Sequence, residues 1–403
     1  MKKAAYIGCL TLVGIISTEF GVISILPQIA EYYSIPIDKA GGLLSIFSMT
    51  IAVTGSIITL LTAKFNRKKI MLTAMVMFLL SDIFSMLAPP FGTMLLLRML
   101  PAFLQPTCIA SAIYAAVALG DEKHKNELMG IVISGLAIAS VVTVPLSGYV
   151  SGVFQQWQAA YALQAIISLL TILIIYKKLP SVPAPKEITS LKDQVVILKD
   201  PVFLLSMSFN FLLITAWFCT YSYIAEYLQK GLGMNEKQTS YLIFLFGIMG
   251  VISNWIARKM LNNKMMLTII LFSVGAVVLP LLLNLHYNNI ALNITVVAIW
   301  GFWYAPCVMV AVVYMVSNAP TYALEFANSL QNSTGNLGVA LGTSVGGWII
   351  VSKGIAMTPW FGAFFGVASL VVLGINTYLK RKRTERKILL EESSGELEQL
   401  CCQ

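Results

Sequence analysis

One carboxylate interrupts the first long apolar stretch of the chain. Between Cys9 and Pro27 the residues are apolar, glycine or hydroxyl-bearing, with the single exception of Glu19. About 20 such residues in a helix cover the ~30 Å hydrocarbon layer of a membrane. An ionisable side chain at that depth costs roughly 2.5–3.5 kcal/mol, so it normally faces a protein interior or a wet cavity. Glu19 is therefore predicted to lie in a transport pathway; the alternative is a structural carboxylate that locks helices together.

An acid and a base flank the turn Pro89–Gly92 at similar depth. Asp82 lies seven residues before this turn and Arg98 six residues after it. At ~1.5 Å per residue, both lie roughly 9–10 Å below the membrane surface, and Glu19 lies about 14 Å below it. Arg98 could form a fixed bridge with Asp82, or hold one acid ionised while the other titrates. We expect Glu19 to be the proton site and Arg98 its coupling partner.

Aromatic and amide side chains are the candidates for a substrate cavity. Aromatic residues crowd the predicted seventh and tenth spans, where Trp217, Tyr221 and Trp303 are the best candidates. Such surfaces suit amphipathic organic ligands, although aromatic residues also form belts at the membrane interface. Asn332 and Asn336 belong to an amide stripe in the eleventh span, which must face protein or water. This stripe is either a cavity wall or a set of hydrogen bonds between helices.

Small residues and one proline mark the fifth and eleventh spans as sites of close helix contact. Gly338, Gly342 and Gly346 recur every four residues, and Pro145 is followed by Gly148. Glycines let membrane helices approach closely, and a proline bends its helix because one backbone hydrogen bond is lost. These residues are predicted to form hinges or seals; the alternative is that they only shape the packing.

The elements that must position these side chains are membrane-spanning helices. The chain has 403 residues, of which 58% are hydrophobic and 11% charged, far from the ~25% charge of soluble domains. Alternation typical of a β-barrel is absent, so the fold class is all-α. The twelve predicted spans are roughly 4–28, 40–63, 70–88, 93–119, 129–153, 159–179, 201–228, 238–259, 265–284, 290–316, 327–351 and 359–380.

Charge and internal repetition predict how the helices are arranged. Most of the 27 basic residues fall in segments on one side, which predicts that both termini are cytoplasmic. The net charge of +9 then reflects topology and contact with lipid rather than a nucleic-acid partner. Residues 29–32 recur as residues 224–227, which indicates two pseudo-symmetric six-helix bundles that rock about a substrate. The predicted units are a bundle over 1–179, a linker with a short amphipathic helix over 180–200, a bundle over 201–380 and a cytoplasmic tail over 381–403.

Several of these motifs, taken in order, resemble the major facilitator superfamily. They are the segment Ser17–Pro27, the loop containing Lys64, Arg67 and Lys68, Leu97-Arg98, Val144-Pro145-Leu146 with Gly148, and Asn336 to Gly347. The resemblance is to its drug:proton antiporter branch, which includes arabinose-efflux-permease-like and purine-efflux-like proteins. It implies alternating access, secondary active transport and export of a small organic compound, with residues 64–68 as the cytoplasmic loop.

Together these features predict a proton-coupled exporter of a drug-like, amphipathic compound. It is expected to be a monomer in the cell (inner or plasma) membrane of a bacterium, and to need no cofactor because the ion gradient supplies the energy. The alternative is a facilitator or an importer of a nucleobase, sugar or amino acid. The chain has no HExxH, GxSxG or Walker sequence, and no cluster typical of a metal site, so we expect no enzyme activity.

Overall fold

The computed structural model describes residues 2–62, 64–120, 124–183, 195–282, 289–320 and 323–401, whose long regular elements are all helical. The helices are Lys3–Gly21, Val22–Ile25 and Leu26–Tyr32 (α1), Ile37–Leu61 (α2), Arg67–Met86 (α3), Phe91–Ala118 (α4), Lys125–Ile138, Ala139–Thr143 and Val144–Phe154 (α5), Gln158–Lys178 (α6), Pro201–Tyr221, Ile224–Glu226 and Tyr227–Gly231 (α7), Glu236–Asn263 (α8), Met265–Leu282 (α9), Ile290–Ser317 (α10), Leu324–Lys353 (α11) and Thr358–Cys401 (α12). We call α1–α6 the first bundle and α7–α12 the second bundle.

Within the described residues, 11 helices are long and apolar enough to cross a membrane. The apolar part of α9, Met265–Val278, is shorter than these. An all-helical fold with 11 or 12 candidate spans is therefore confirmed. The amphipathic helix predicted in the linker lies largely outside the described residues; Val195–Lys199 forms a 3₁₀ turn.

The residues from 381 onward, predicted to be a cytoplasmic tail, continue α12 as one helix to Cys401, and their cytoplasmic location stays a prediction. Two contacts support this continuation. Arg381 pairs with Glu385 one turn later at 2.8 Å, an arrangement that stabilises helices. Arg383 makes two hydrogen bonds, of 3.0 and 3.1 Å, to the carboxylate of Asp200 just before α7.

The two ends of the bundles differ in charge and in how tightly they close. At the end that we call the basic end, Lys2 pairs with Glu127 at 2.5 Å and Arg383 pairs with Asp200. The opposite end, which we call the far end, contains the turns at Ser34 and Gln155. The chain alternates between these ends with each long helix.

Close contacts between α2 and α11 join the two bundles at the far end. A Cβ atom on Gly347 would lie 2.8 Å from the Cα of Asp38, and one on Gly41 would lie 2.0 Å from the Tyr223 hydroxyl. Ser344 donates a hydrogen bond of 3.1 Å to Ser45. No larger residue than glycine fits at these two positions without moving a neighbour, so α2 packs closely against α11 and against Tyr223 here.

The crossing of α5 and α8 forms the second junction between the bundles. A Cβ atom on Gly247 would lie 2.9 Å from the Cα of Val141, and one on Gly148 would lie 3.0 Å from Ser240. Pro145 follows a π-helical turn, Ala139–Thr143, which widens α5 where the proline lacks an N–H group. The predicted bend at Pro145 is thus a π-helical turn placed at the contact with the second bundle.

The glycine stripe of α11 contacts α7 inside the second bundle. Cβ atoms on Gly338, Gly342 and Gly346 would lie 2.8, 2.6 and 2.2 Å from the carbonyl oxygens of Phe211, Thr215 and Cys219. These helices therefore touch backbone to backbone. Whether they also slide during transport stays a prediction.

The loop between α2 and α3, with the start of α3, contacts the first bundle and the segment that follows α6, where Asn66 donates to Ser181 at 2.8 Å. Lys68 donates a hydrogen bond of 2.9 Å to the Tyr176 carbonyl at the end of α6, and the Arg67 guanidinium lies 5.6 Å from the centre of the Tyr114 ring. Lys64 is exposed in the turn. The basic loop thus ties α4 and α6 to α3 at the basic end.

Candidate transport site

Glu19 is buried where α1 changes from an α-helix to a 3₁₀ turn. Glu19 is only 3% exposed, and Oε2 of its carboxylate accepts a hydrogen bond of 2.6 Å from the Gln105 amide of α4. Among the described residues, the carboxylate forms no ion pair. Its one hydrogen-bond donor is thus a neutral amide.

Arg98 of α4 is fully buried and binds backbone carbonyl oxygens. It donates hydrogen bonds of 2.6 Å to Thr18, 2.9 Å to Glu19 and 3.3 Å to Leu43. The 3₁₀ turn explains why α1 offers these acceptors, because the Val22 amide is directed to the Phe20 carbonyl rather than to Thr18. Arg98 thereby holds α1, α2 and α4 together.

Asp82 of α3 is also fully buried, but it does not bind Arg98 directly. Its Oδ2 accepts hydrogen bonds from the hydroxyls of Thr18 at 3.0 Å and Ser168 at 3.3 Å, and its Oδ1 has no partner. The fixed Asp82–Arg98 bridge that the sequence allows is therefore not formed, because backbone carbonyls occupy the guanidinium. Thr18 instead connects the two residues, through its hydroxyl to Asp82 and its carbonyl to Arg98.

The three buried charged groups do not balance one another. Glu19, Asp82 and Arg98 carry two potential negative charges and one positive charge. An uncompensated charge in a protein interior costs several kcal/mol. One proton bound by either carboxyl group makes the cluster neutral. The arrangement can therefore hold one exchangeable proton.

An aromatic cluster of the second bundle faces this part of α1. Phe20, next to Glu19, lies 5.9 Å from Phe218, measured between ring centres. Tyr221 and Tyr304 are 4.4 Å apart, and Tyr304 lies within electrostatic range of Glu19. The members of this aromatic cluster, from α7, α8 and α10, are Trp217, Phe218, Tyr221, Phe246, Trp300 and Tyr304.

Two of the three aromatic residues predicted to line a cavity are in this cluster. Trp217 and Tyr221 belong to it, whereas Trp303 points to α9, where its indole N–H donates to the Leu271 carbonyl at 3.4 Å. Gly275 makes room for this ring. The neighbouring Tyr304 belongs to the aromatic cluster instead, because consecutive helix residues point about 100° apart.

The predicted amide stripe makes its hydrogen bonds within α11. The Asn336 amide donates to the carbonyl and the side-chain oxygen of Asn332, at 3.0 and 3.1 Å, and both residues are half-buried. Hydrogen bonds between α7 and α11 involve other residues: Asn210 donates to the Thr334 hydroxyl at 2.9 Å, and the Tyr223 hydroxyl donates to the Thr343 carbonyl at 2.9 Å. Asn332 and Asn336 therefore stay candidates for a cavity wall.

Gln105 is the functional candidate that the sequence analysis missed. It follows Arg98 by seven residues, so both lie on the same face of α4. A polar residue two turns from a buried arginine is a signal that could have identified it. Thr18 lacked such a signal, because its role depends on the 3₁₀ turn.

Known proteins resemble this chain over most of its length. Residues 8–342 match the Major Facilitator Superfamily. A probable sugar efflux transporter of Pasteurella multocida is 25% identical, covering 88% of this chain and 87% of the relative. An uncharacterized MFS-type transporter of Bacillus subtilis, YtbD, is 26% identical, covering 92% and 94%.

Solved structures share the fold at low sequence identity. An inward-facing, occupied bacterial homolog of the human lysosomal transporter Spinster has a TM-score of 0.75 at 14% identity, covering 93% of this chain and 96% of that one. A D-xylose–proton symporter has a TM-score of 0.70 at 14% identity, covering 92% and 95%. With the helical architecture described above, these matches show that the chain is a multi-pass membrane protein that belongs to the Major Facilitator Superfamily.

Proposed function

We propose that this protein is a proton-coupled exporter of a small organic compound, with Glu19 as the proton-binding site. The observation that carries the proposal is the position of the Glu19 carboxylate. It is buried beside the second bundle, it receives one hydrogen bond from a neutral amide, and it forms no ion pair among the described residues. A carboxylate without a fixed counter-ion can exchange its proton when the cavity is hydrated.

Competition for the same oxygen atoms explains how protons and substrate exclude each other. An ionised carboxylate only accepts hydrogen bonds, whereas a protonated one also donates. A substrate hydroxyl or amine would donate to ionised Glu19 beside Gln105, and a proton would remove that acceptor. Arg98 keeps α1 and α4 in register through its hydrogen bonds to Thr18 and Glu19. It is thus the partner that fixes the geometry of the exchange.

A sugar-like compound is the first candidate for the substrate. The Pasteurella relative is named a probable sugar efflux transporter, and the aromatic cluster offers ring faces beside a carboxylate and an amide. Few polar groups on an apolar wall fix the orientation of a small ligand in this way. A more amphipathic, drug-like compound is the second candidate, because the cluster itself carries few hydrogen-bonding groups.

The distribution of charge supports the orientation that the proposed export requires. The basic residues concentrate at the basic end, which supports its assignment to the cytoplasm. The contacts at Gly41 and Gly347 bring the two bundles together at the far end, which supports a state in which the site is narrowed on that side. Protons entering from outside would then drive the substrate out of the cytoplasm.

The test uses inside-out vesicles that contain the protein and a pH-sensitive dye in the lumen. D-xylose, L-arabinose and a cationic dye are added as probes. For the transported probe we expect a change of lumenal pH that Glu19→Gln abolishes, while exchange of labelled probe without a proton gradient continues. The control is Glu127→Gln, which changes an exposed carboxylate at the basic end and leaves the pH change intact. A Glu19→Gln variant that still moves protons with its substrate would refute the assignment.

A further inference from the structure

A stripe of buried polar side chains runs along α6 through the first bundle. Trp157, Tyr161, Gln164, Ser168 and Thr171 follow one another at i, i+4, i+7, i+11 and i+14, and all are buried. Their spacing places them on one face over ~21 Å. We call these five residues the polar stripe. Because polar groups in a membrane must face protein or water, the stripe belongs to the interior of the bundle.

Several atoms along this stripe have no hydrogen-bond partner among the described residues. They are the indole N–H of Trp157, the hydroxyl of Tyr161 and the amide oxygen of Gln164. Across from them on α3, the same is true of Oδ1 of Asp82 and the hydroxyl of Ser85. A buried polar atom left without a partner costs about 1–3 kcal/mol, and bound water commonly satisfies such groups. This row of atoms therefore suits a chain of hydrogen-bonded water.

The far end of the stripe opens into a polar cavity. This far-end cavity has a volume of about 680 Å³, and Trp157 lines it together with Gln28, Glu31, Gln155 and Glu236. Its carboxylates and amides attract protons and water. Trp157 also packs edge-on against Tyr161, with 5.7 Å between ring centres, so the residue that lines the cavity contacts the next residue of the stripe.

The other end of this path reaches the candidate transport site. Ser168 donates a hydrogen bond to Asp82, which also accepts one from Thr18, the residue before Glu19. The stripe therefore leads from a cavity that both bundles line to Asp82 inside the first bundle.

The charged and titratable groups around Asp82 come from three helices. Arg98 of α4 and Tyr161 of α6 interact with it electrostatically, and Glu19 of α1 lies next to its hydrogen-bond donor Thr18. The groups of α5 on this side, such as Ser147, carry no charge. Asp82 is thus the first proton acceptor that a path along α6 meets.

We propose that protons reach the transport site from the far-end cavity along the polar stripe, with Asp82 as an intermediate proton-binding site. This inference rests on the proposed function. In the first step a hydronium ion gives its proton to the Asp82 carboxylate and leaves as water. In the second step the Asp82 carboxyl loses that proton to the Glu19 carboxylate through water, and Asp82 is ionised again. Protons and substrate would then use separate routes through the protein.

Infrared difference spectroscopy after a pH jump tests the site itself, without any substrate. Acidification of the purified protein should produce bands of protonated carboxyl groups. Asp82→Asn should remove one band, and Glu19→Gln should leave that band in place. If Asp82→Asn leaves every band unchanged, Asp82 binds no proton and the proposal is wrong.

The rate of protonation tests the path. Tyr161→Phe and Gln164→Met interrupt the stripe on the far-end side of Asp82 and should slow its protonation about tenfold. The matched control is Thr171→Val, on the same face and equally buried, but on the basic-end side of Ser168. It should leave the rate unchanged. Equal rates in all three variants, or slowing by Thr171→Val alone, would overturn the proposed route.

These outcomes are separable from the test of the proposed function. If Glu19→Gln abolishes coupling while the stripe variants protonate at the parental rate, the exporter remains and only the route fails. If the stripe variants slow protonation while Glu19→Gln still couples, the route remains and the coupling assignment fails. Thermal unfolding of each variant shows whether it has kept the parental fold.

Discussion

The interiors of the two bundles differ in chemistry although their helices repeat. In the first bundle, the buried residues include Glu19, Asp82 and Arg98 with hydroxyl and amide side chains around them. In the second bundle the corresponding space holds an aromatic cluster, and Ile214 occupies the position that Glu19 has in the first. This difference fits the proposed function, in which the first bundle would exchange protons and the second would offer a wall to the substrate.

Glu226 is the buried acid of the second bundle among the residues whose burial is described, and its setting is different. Glu226 near the far end pairs with Lys230 at 2.6 Å, one turn later on the same helix. Lys230 is exposed, so this pair lies at the edge of the bundle. Glu19 and Asp82 have no such local counter-ion among the described residues. The two bundles therefore differ in whether a buried acid has a counter-ion: Glu226 has one, whereas Glu19 and Asp82 do not among the described residues.

The largest expected effect comes from removing the buried cation. Arg98→Met should lower the free energy of unfolding by ~3–5 kcal/mol, because three carbonyl oxygens lose their donor and the buried acids lose their only nearby cation. The matched change in the aromatic cluster, Tyr304→Phe, should cost less than ~1.5 kcal/mol. Chemical unfolding in detergent measures both. Equal losses would mean that the two interiors do not differ in the way proposed.

A smaller effect is expected where the second bundle packs backbone to backbone. Gly342→Ala would place a methyl group 2.6 Å from the Thr215 carbonyl, which cannot turn away, and should cost about 1–3 kcal/mol. The control is Gly374→Ala, where nothing lies within 4 Å; it should be neutral or stabilise α12 by up to ~1 kcal/mol.

In the first bundle, a glycine in close contact has a side chain rather than backbone as its neighbour. A methyl group on Gly21 would also meet a close neighbour, but that neighbour is the end of the flexible Gln164 side chain. Thermal unfolding of Gly342→Ala and Gly374→Ala in the same detergent measures the difference. If both variants unfold alike, α7 and α11 are not in the tight contact described.

The sequence identified which residues form the site better than it predicted how they contact one another. Hydropathy and charge identified the helices and selected Glu19, Asp82 and Arg98, because burying a charge is costly enough to mark its position. The direct Asp82–Arg98 bridge was wrong because depth along a helix does not reveal which acceptors are nearer. Here the 3₁₀ turn after Gly21 frees carbonyl oxygens, and no residue pattern in the sequence indicated that turn.

Helix rotation was the second quantity that the sequence could not provide. Trp303 and Tyr304 are adjacent, and composition alone does not decide which of them joins the aromatic cluster. That choice depends on Gly275, which lets the Trp303 ring lie against α9. Similarly, the end of α12 could not be placed, because the basic residues after Lys380 are compatible with either a tail or a longer helix.

The smallest expected effect concerns the charges at the rim of the second bundle. Although partial burial alone would raise the pKa of Asp200, hydrogen bonds from Arg383 and from the Val202 amide outweigh it and hold that pKa below its ordinary value. The ion pair therefore stabilises the fold at pH values above the ordinary aspartate pKa of about 3.9. That stability is lost as the pH falls through the lower pKa of the folded protein.

Arg383→Gln should accordingly lower the free energy of unfolding by only ~0.5 kcal/mol at neutral pH, since water screens a pair this exposed. The loss should vanish in acid, where Asp200 is protonated. Arg381→Gln is the control, because Arg381 pairs with Glu385 on its own helix and joins no second element. Unfolding curves at several pH values measure this difference. A loss that persists in acid would show that the effect does not come from the ion pair with Asp200. A loss as large as that of Arg98→Met would show that exposed charges of the second bundle stabilise the fold as much as the charges buried in the first.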